Sequence, residues 1–259
     1  MNNRRRGGLL RSSSNPMFRE GMLQRASQNT LDGGMITRAG EGRMTVSGAV
    51  NKSLILGLIM LVAAVFSYTT PNPLFIWGGA IVGLIVVIAA SFRPQWSATL
   101  APVYAGMEGL FVGGISAVYA NAFYPGIIFQ AVTLTMAVFF IMLFTYKTGL
   151  IKVTQKFRSG VIMATGAILL VYIINLVLSL FGIHLPFLHE GGMIGIGISL
   201  LIVGIAALNL LLDFDNFDKG EQYGAPAFME WFFAMGLLVT LVWLYIEILR
   251  LLAIFSSND

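Results

Sequence analysis

The chain has 259 residues, of which 57% are hydrophobic and only 11% charged, with a mean hydropathy of +0.81. Soluble domains carry roughly 25% charged residues, so this composition is that of an integral membrane protein. The absence of cysteine excludes disulfides, thiolate nucleophiles and cysteine metal sites. The formal net charge of +4 belongs mostly to one tail and speaks to membrane topology, not to nucleic acid, whose recognition needs interleaved aromatics that the tail lacks.

Residues 1–50 are polar and rich in Ser, Gly, Asn and Arg, and they read as a disordered basic cytoplasmic arm. The first long apolar run begins only at Leu54, so a signal peptide is not expected. The arm's charges fix orientation or meet anionic lipid head groups. Seven apolar segments follow: Leu54–Tyr68, Leu74–Ala90, Ala98–Tyr119, Gly126–Phe144, Val161–Gly182, Met193–Leu212 and Ala227–Ala253. Each is predicted to be a helix, because an open segment in hydrocarbon has no other way to satisfy its backbone groups. The first is short enough to need residues before Lys52, and the seventh is long enough to tilt. The expected fold class is therefore an all-α integral membrane protein, a seven-transmembrane helix bundle over residues 51–255.

Turn signals separate the segments at Pro71 and Pro73, Arg93-Pro94, Pro125-Gly126, Pro186, Gly191-Gly192 and Gly224 to Pro226. A cytoplasmic N-terminus puts the arm, Arg93, Lys147, Lys152, Lys156, Arg158 and Lys219 inside and only Arg250 outside. Seven spans with the N-terminus in and the C-terminus out follow. Gly78, Gly79 and Gly83 in the second segment, and Gly106, Gly109, Gly113 and Gly114 in the third, are expected to let helices approach closely.

The candidate site starts from Leu211 to Glu221, where an apolar run meets water and three carboxylates fall within six positions. On a helix Asp213 and Asp215 diverge by about 200°. Asp213 lies in a stripe with Asn209 and Asn216 and is expected to face inward; Asp215 shares the i,i+3 spacing with Asp218 and is expected to face the head groups. Glu108 falls near the midplane with Tyr104 one turn before it, and reads as a proton or cation site or as an acid bonded between helices. Glu230 starts the last segment within reach of Asp213 or Asp215. Arg93 is either the counter-charge for Asp213 or a topology anchor. Glu247 lies about 25 Å further along than Glu230 and is expected to make a local i,i+3 ion pair with Arg250. Asn175 and Thr240 read as bonds between helices.

Carboxylates at one mouth supply the hard oxygen ligands that calcium prefers. The spacing is not that of an EF-hand: with Asp213 and Asp215 as loop positions 1 and 3, Phe217 and Asp218 fall at positions 5 and 6. The metal expectation is thus a weak calcium site at Asp213 and Asp215, assembled between helices. Two close carboxylates can also share a proton and separate on losing it, which makes a pH-sensitive gate. Enzyme chemistry finds little support. Ser116 lacks a membrane-protease context, His184 and His189 lack metal-binding spacing, the last segment has no lysine for retinal, and no phosphate-binding loop is present. No cofactor is expected.

Two stretches resemble a known family: Pro102-Val103-Tyr104-Ala105-Gly106-Met107-Glu108-Gly109-Leu110-Phe111-Val112-Gly113-Gly114-Ile115-Ser116, and Leu241-Val242-Trp243-Leu244-Tyr245-Ile246-Glu247-Ile248-Leu249-Arg250-Leu251-Leu252. They are similar to a bacterial branch of the Bax inhibitor family, the transmembrane Bax inhibitor motif proteins, over roughly residues 50 to 255. The resemblance implies seven helices with the last one central, and a pH-sensitive calcium leak of the cell inner membrane gated by paired aspartates near the cytoplasmic mouth. Asp213 matches the family's aspartate on the sixth helix, and Arg93 its arginine at the end of the second. Thr240 takes the place of the second aspartate, leaving Glu230, Asp215 or Glu108 to substitute. The expected partners are membrane lipid and calcium ions or protons. The rival expectation is a non-transporting regulator whose arm contacts a membrane protease or another membrane protein.

Overall fold

The computed structural model describes residues 42–182 and 193–258. Most of the basic arm, both histidines, Pro186 and the Gly191-Gly192 pair lie outside the described residues. Seven helices are long and apolar enough to cross a membrane: α1 Val46–Thr69, α2 Pro73–Phe92, α3 Ser97–Ala122, α4 Gly126–Thr148, α5 Gln155–Leu180, α6 Met193–Gln222 and α7 Phe228–Asn258. A 3-10 turn, Pro94–Trp96, joins α2 to α3.

Local chemistry sets the helix ends. Thr45 caps α1 by accepting the N–H of Gly48 at 2.9 Å, so the helix starts well before Leu54. Asn72 caps α2 in the same way on Leu74 at 2.9 Å, with Pro73 in the first helical position, where its missing donor costs nothing. Thr154 caps α5 on Phe157 at 3.2 Å, and Gly149, with φ of 68°, closes α4 in the left-handed conformation that glycine adopts freely. Helix α6 does not stop where its apolar run ends at Leu212. It continues to Gln222, projecting the acidic stretch about 15 Å further as ordered helix.

Helix α7 is the hub, packed against α1, α3, α4 and α6. One side of it joins Leu210 and Phe214 of α6 and Ile127 and Ala131 of α4 through Leu244, Ile248 and Leu249. Another joins Leu56 of α1 and Tyr104 and Ala105 of α3 through Ala234, Met235 and Leu238. The expected central last helix is therefore present.

Glycines bring α1, α2 and α3 together, though not all of those expected. A Cβ on Gly113 would lie 2.1 Å from the Ala64 carbonyl, one on Gly109 2.4 Å from that of Met60, and one on Gly79 2.5 Å from that of Met107. Only a missing side chain permits these approaches. Gly78 and Gly106 face open space, with nothing within 4 Å of a Cβ, and make no such contact.

The start of α1 is stitched to the α6–α7 turn. Met44 donates its backbone N–H to Ala225 at 2.7 Å, Val46 donates to Glu221 at 3.2 Å, and Thr45 donates its N–H at 3.0 Å and its hydroxyl at 3.2 Å to Glu230. The packed bundle thus begins at Arg43, ahead of the boundary near residue 51 that apolar content suggests. Gly113→Leu is expected to destabilise the detergent-solubilised protein by about 1–3 kcal/mol, whereas Gly106→Leu stays within about 0.5 kcal/mol. Thermal melts of both variants check the ranking, and equal effects would contradict the packing described.

Candidate functional site: a polar seam between α5, α6 and α7

Among its described residues α5 buries only Arg158 and Val161, so apolar packing holds it weakly. Polar bonds hold it instead. Ser199, Asn209, Asp213 and Asn216 form a stripe along α6 at helical spacing. Asn209 donates to Thr165 of α5 at 2.8 Å and to its own Ile205 carbonyl at 2.9 Å. Near the end of the bundle where the lysines gather, Arg158 Nη2 of α5 donates to Asp215 Oδ2 at 2.5 Å and to Asn216 Oδ1 at 3.0 Å. Lys219 brings a second cation to the same Asp215 oxygen, at 2.7 Å. Arg158 and Asp215 are each 9% exposed. One turn further along, Tyr146 of α4 donates its hydroxyl to Asp218 Oδ2 at 2.6 Å.

Asp213 stands apart from this pairing. It faces Thr240 of α7, with Arg158 in the vicinity, but the Thr240 hydroxyl is donated to the Gly236 carbonyl at 3.3 Å. Among the described residues, the buried Asp213 Oδ2 has no hydrogen-bond partner. Leaving such a group unsatisfied costs about 1–3 kcal/mol or more when it is charged, a cost that packing alone does not explain. A cation on the seam would meet one full carboxylate and neutral amide and hydroxyl oxygens.

The structure does not assemble the other predicted partners around Asp213. Arg93 is exposed, its guanidinium 5.3 Å from the Trp96 ring centroid. It sits at the α2–α3 turn, and α2 packs on α3, so the counter-charge nearest the α6 aspartates is Arg158. Asp215, expected to face the head groups, is buried against α5. α5 lies on that face of α6 and Arg158 claims the carboxylate. Glu230 is committed to Thr45, with Lys52 at 3.7 Å, and a Cβ on Gly48 would overlap its carboxylate. It anchors α1 and does not complete a dyad. Glu108 points into a notch on α2, where a Cβ on Gly83 would lie 2.5 Å from its Oε2, with Tyr104 alongside. That places it on the α2–α3 side, away from the seam. Among the described residues no group of three or more His, Cys, Asp or Glu side chains forms, and Asp215 is held by two cations, Arg158 and Lys219.

Arg158, Tyr146, Tyr172 and Ser199 were not singled out as site residues from the sequence. The available signal was depth: Arg158 lies one turn inside α5, level with the acidic end of α6. Arg158→Gln is expected to lower stability by about 2 kcal/mol, the loss of a hydrogen bond to a charged group. Arg93→Gln should stay within about 0.5 kcal/mol. Melting temperatures of the two purified variants decide between the arginines, and a larger loss for Arg93→Gln would restore it as the partner.

A family model described as Bax inhibitor 1 like matches residues 15–257. A search of curated proteins found no match to the chain. The match covers nearly the whole sequence, including the seven helices and the seam, and the chain belongs to the Bax inhibitor 1 like family as a multi-pass membrane protein.

Proposed function

We propose that this protein is a cation leak of a bacterial inner membrane, with calcium as the ion and the α5–α6–α7 seam as the route. The observation that carries the reading is the buried, unpartnered oxygen of Asp213, flanked along α6 by Asn209 and Asn216. In this reading the Lys- and Arg-rich end is cytoplasmic. The Arg158–Asp215 pair there is a tethered counter-ion that closes the seam until α5 shifts. A permeating cation exchanges its water for the oxygens of Asn209, Asp213 and Thr240 in turn. Its charge is offset at Asp213 only while that carboxylate is ionised.

Because Thr240 stands opposite Asp213, no second carboxylate among the described residues faces it to share a proton. Control by pH then rests on one group: a proton on Asp213 removes the charge that the cation needs. Asp213→Asn is accordingly expected to lower calcium flux in proteoliposomes roughly tenfold, about 1.4 kcal/mol of barrier, and to flatten its pH profile. Unchanged flux at every pH would remove Asp213 from the mechanism. Deleting residues 1–41, which spares the stitches made by Met44 and Thr45, should leave the flux intact. Loss of a membrane-protein partner on that deletion, with no flux in the full chain, would favour a regulator.

A further inference from the structure

The other end of the same seam carries a second ionic centre that the proposed route has not used. Glu247 of α7 is 3% exposed. Its Oε1 accepts the hydroxyl of Tyr172 on α5 and the indole N–H of Trp243 at 3.3 Å. Its Oε2 has no hydrogen-bond donor and lies 3.4 Å from Arg250 Nη2. Arg250 in turn donates to Tyr172 at 3.0 Å and to Ser199 of α6 at 3.2 Å. The expected local ion pair is present, with Glu247 buried and Arg250 half-buried, and it is tied to three helices.

Position along the helices makes this a second layer of the same path. Tyr172 lies about 21 Å beyond Arg158 on α5, and Ser199 about 24 Å before Asp215 on α6, at 1.5 Å per residue. The layer is also incompletely bonded. Among the described residues, Glu247 Oε2 has the ion-pair contact with Arg250 but no hydrogen bond, and Arg250 Nε and, one turn from Tyr172 on α5, Asn175 Oδ1 are buried without hydrogen-bond partners. Burying an ion pair costs several kcal/mol per ion, offset only when the remaining hydrogen-bonding positions are filled. A cluster serving stability alone would fill them, since a half-satisfied buried network is worse than an apolar one. Two of the three orphan atoms are oxygens, the ligand type that a metal cation takes up.

We propose that Glu247, Tyr172 and Asn175 form an outer cation station on the α5–α6–α7 seam, and that Arg250 fills it at rest as a tethered guanidinium that a permeating metal cation must displace. This rests on the seam being a cation route. Arg250 is therefore both plug and placeholder: it keeps the buried Glu247 neutralised while the route is empty, and its three hydrogen-bonding and ionic partners pull α5, α6 and α7 together.

Calcium flux in proteoliposomes containing the full chain tests this, with Asp213→Asn as the reference. Arg250→Gln is expected to raise resting flux about fivefold, the equivalent of one or two lost hydrogen bonds. Adding Glu247→Gln to it should abolish the gain, because the carboxylate that attracts the cation is gone. Tyr172→Phe removes a single hydroxyl with little change of volume and is expected to raise flux in the same direction. It carries the test if Arg250→Gln does not purify as a monodisperse protein. Flux at or below wild type in folded Arg250→Gln or in Tyr172→Phe overturns the proposal, as does a double variant as leaky as Arg250→Gln. Wild-type flux that depends on Asp213 but ignores the outer variants defeats this station alone, whereas silence in every protein defeats the cation route with it.

Discussion

The arrangement depends on how α5 is held. Between helices in hydrocarbon there is no hydrophobic drive to associate, so a span stays in place by close packing or by polar bonds. Helices α1, α2 and α3 use packing: the carbonyls of Ala64, Met60 and Met107 rest where Gly113, Gly109 and Gly79 have no side chains. Helix α5 uses polar bonds. Arg158 grips Asp215 at one end, Thr165 meets Asn209 in the middle, and Tyr172 joins Glu247 and Arg250 at the other. Packed contacts are lost gradually with displacement, but ionic and hydrogen-bonded clasps have made and broken states.

That division explains why the polar residues lie where they do. The side of α7 built on Leu56, Tyr104 and Leu238 is apolar, and the charge on α3, Glu108, points into a notch on α2 and not toward the hub. The α6 stripe instead faces α5 and α7, where each of its amides finds a donor or acceptor. Asp213 is the exception, since the residue across from it is Thr240, whose hydroxyl is already donated to Gly236. A second carboxylate there would set two like charges against each other and make a proton the bridge between helices. With threonine in its place the charge at this depth is single, and the arginines lie at the two ends of the seam.

Much of this was legible in the sequence, and the remainder was hidden for a physical reason. Seven spans follow from apolar length, and the pairing of Asp213 with Asn209 and Asn216 follows from helical period alone. The helix carrying Asp213 and the identity of Thr240 across from it were likewise readable. Which helix packs beside which was not. Arg93 and Arg158 both sit at the basic end, and only the packing of α2 on α3 and of α5 on α6 tells them apart. Glu230 looked like a free carboxylate because its partners, the backbone and side chain of Thr45, lie 185 residues away. Gly78 and Gly79 are neighbours in sequence, yet only Gly79 meets α3, because successive residues leave a helix about 100° apart.

A cation route along the seam requires that water and cations reach the α6 stripe while the rest of that helix stays in lipid or protein. The native chain has no cysteine, so a single introduced thiol can be followed without background, and a thiol reacts only where water lets it ionise. Labelling of Ser199→Cys, Asn209→Cys and Asn216→Cys in proteoliposomes by a small water-soluble cationic thiol reagent, against Leu200→Cys and Leu201→Cys, tests this most directly. Reaction is expected along the stripe, with protection at the two leucine positions. A stripe that stays unreactive, or labelling that is uniform around α6, would contradict it.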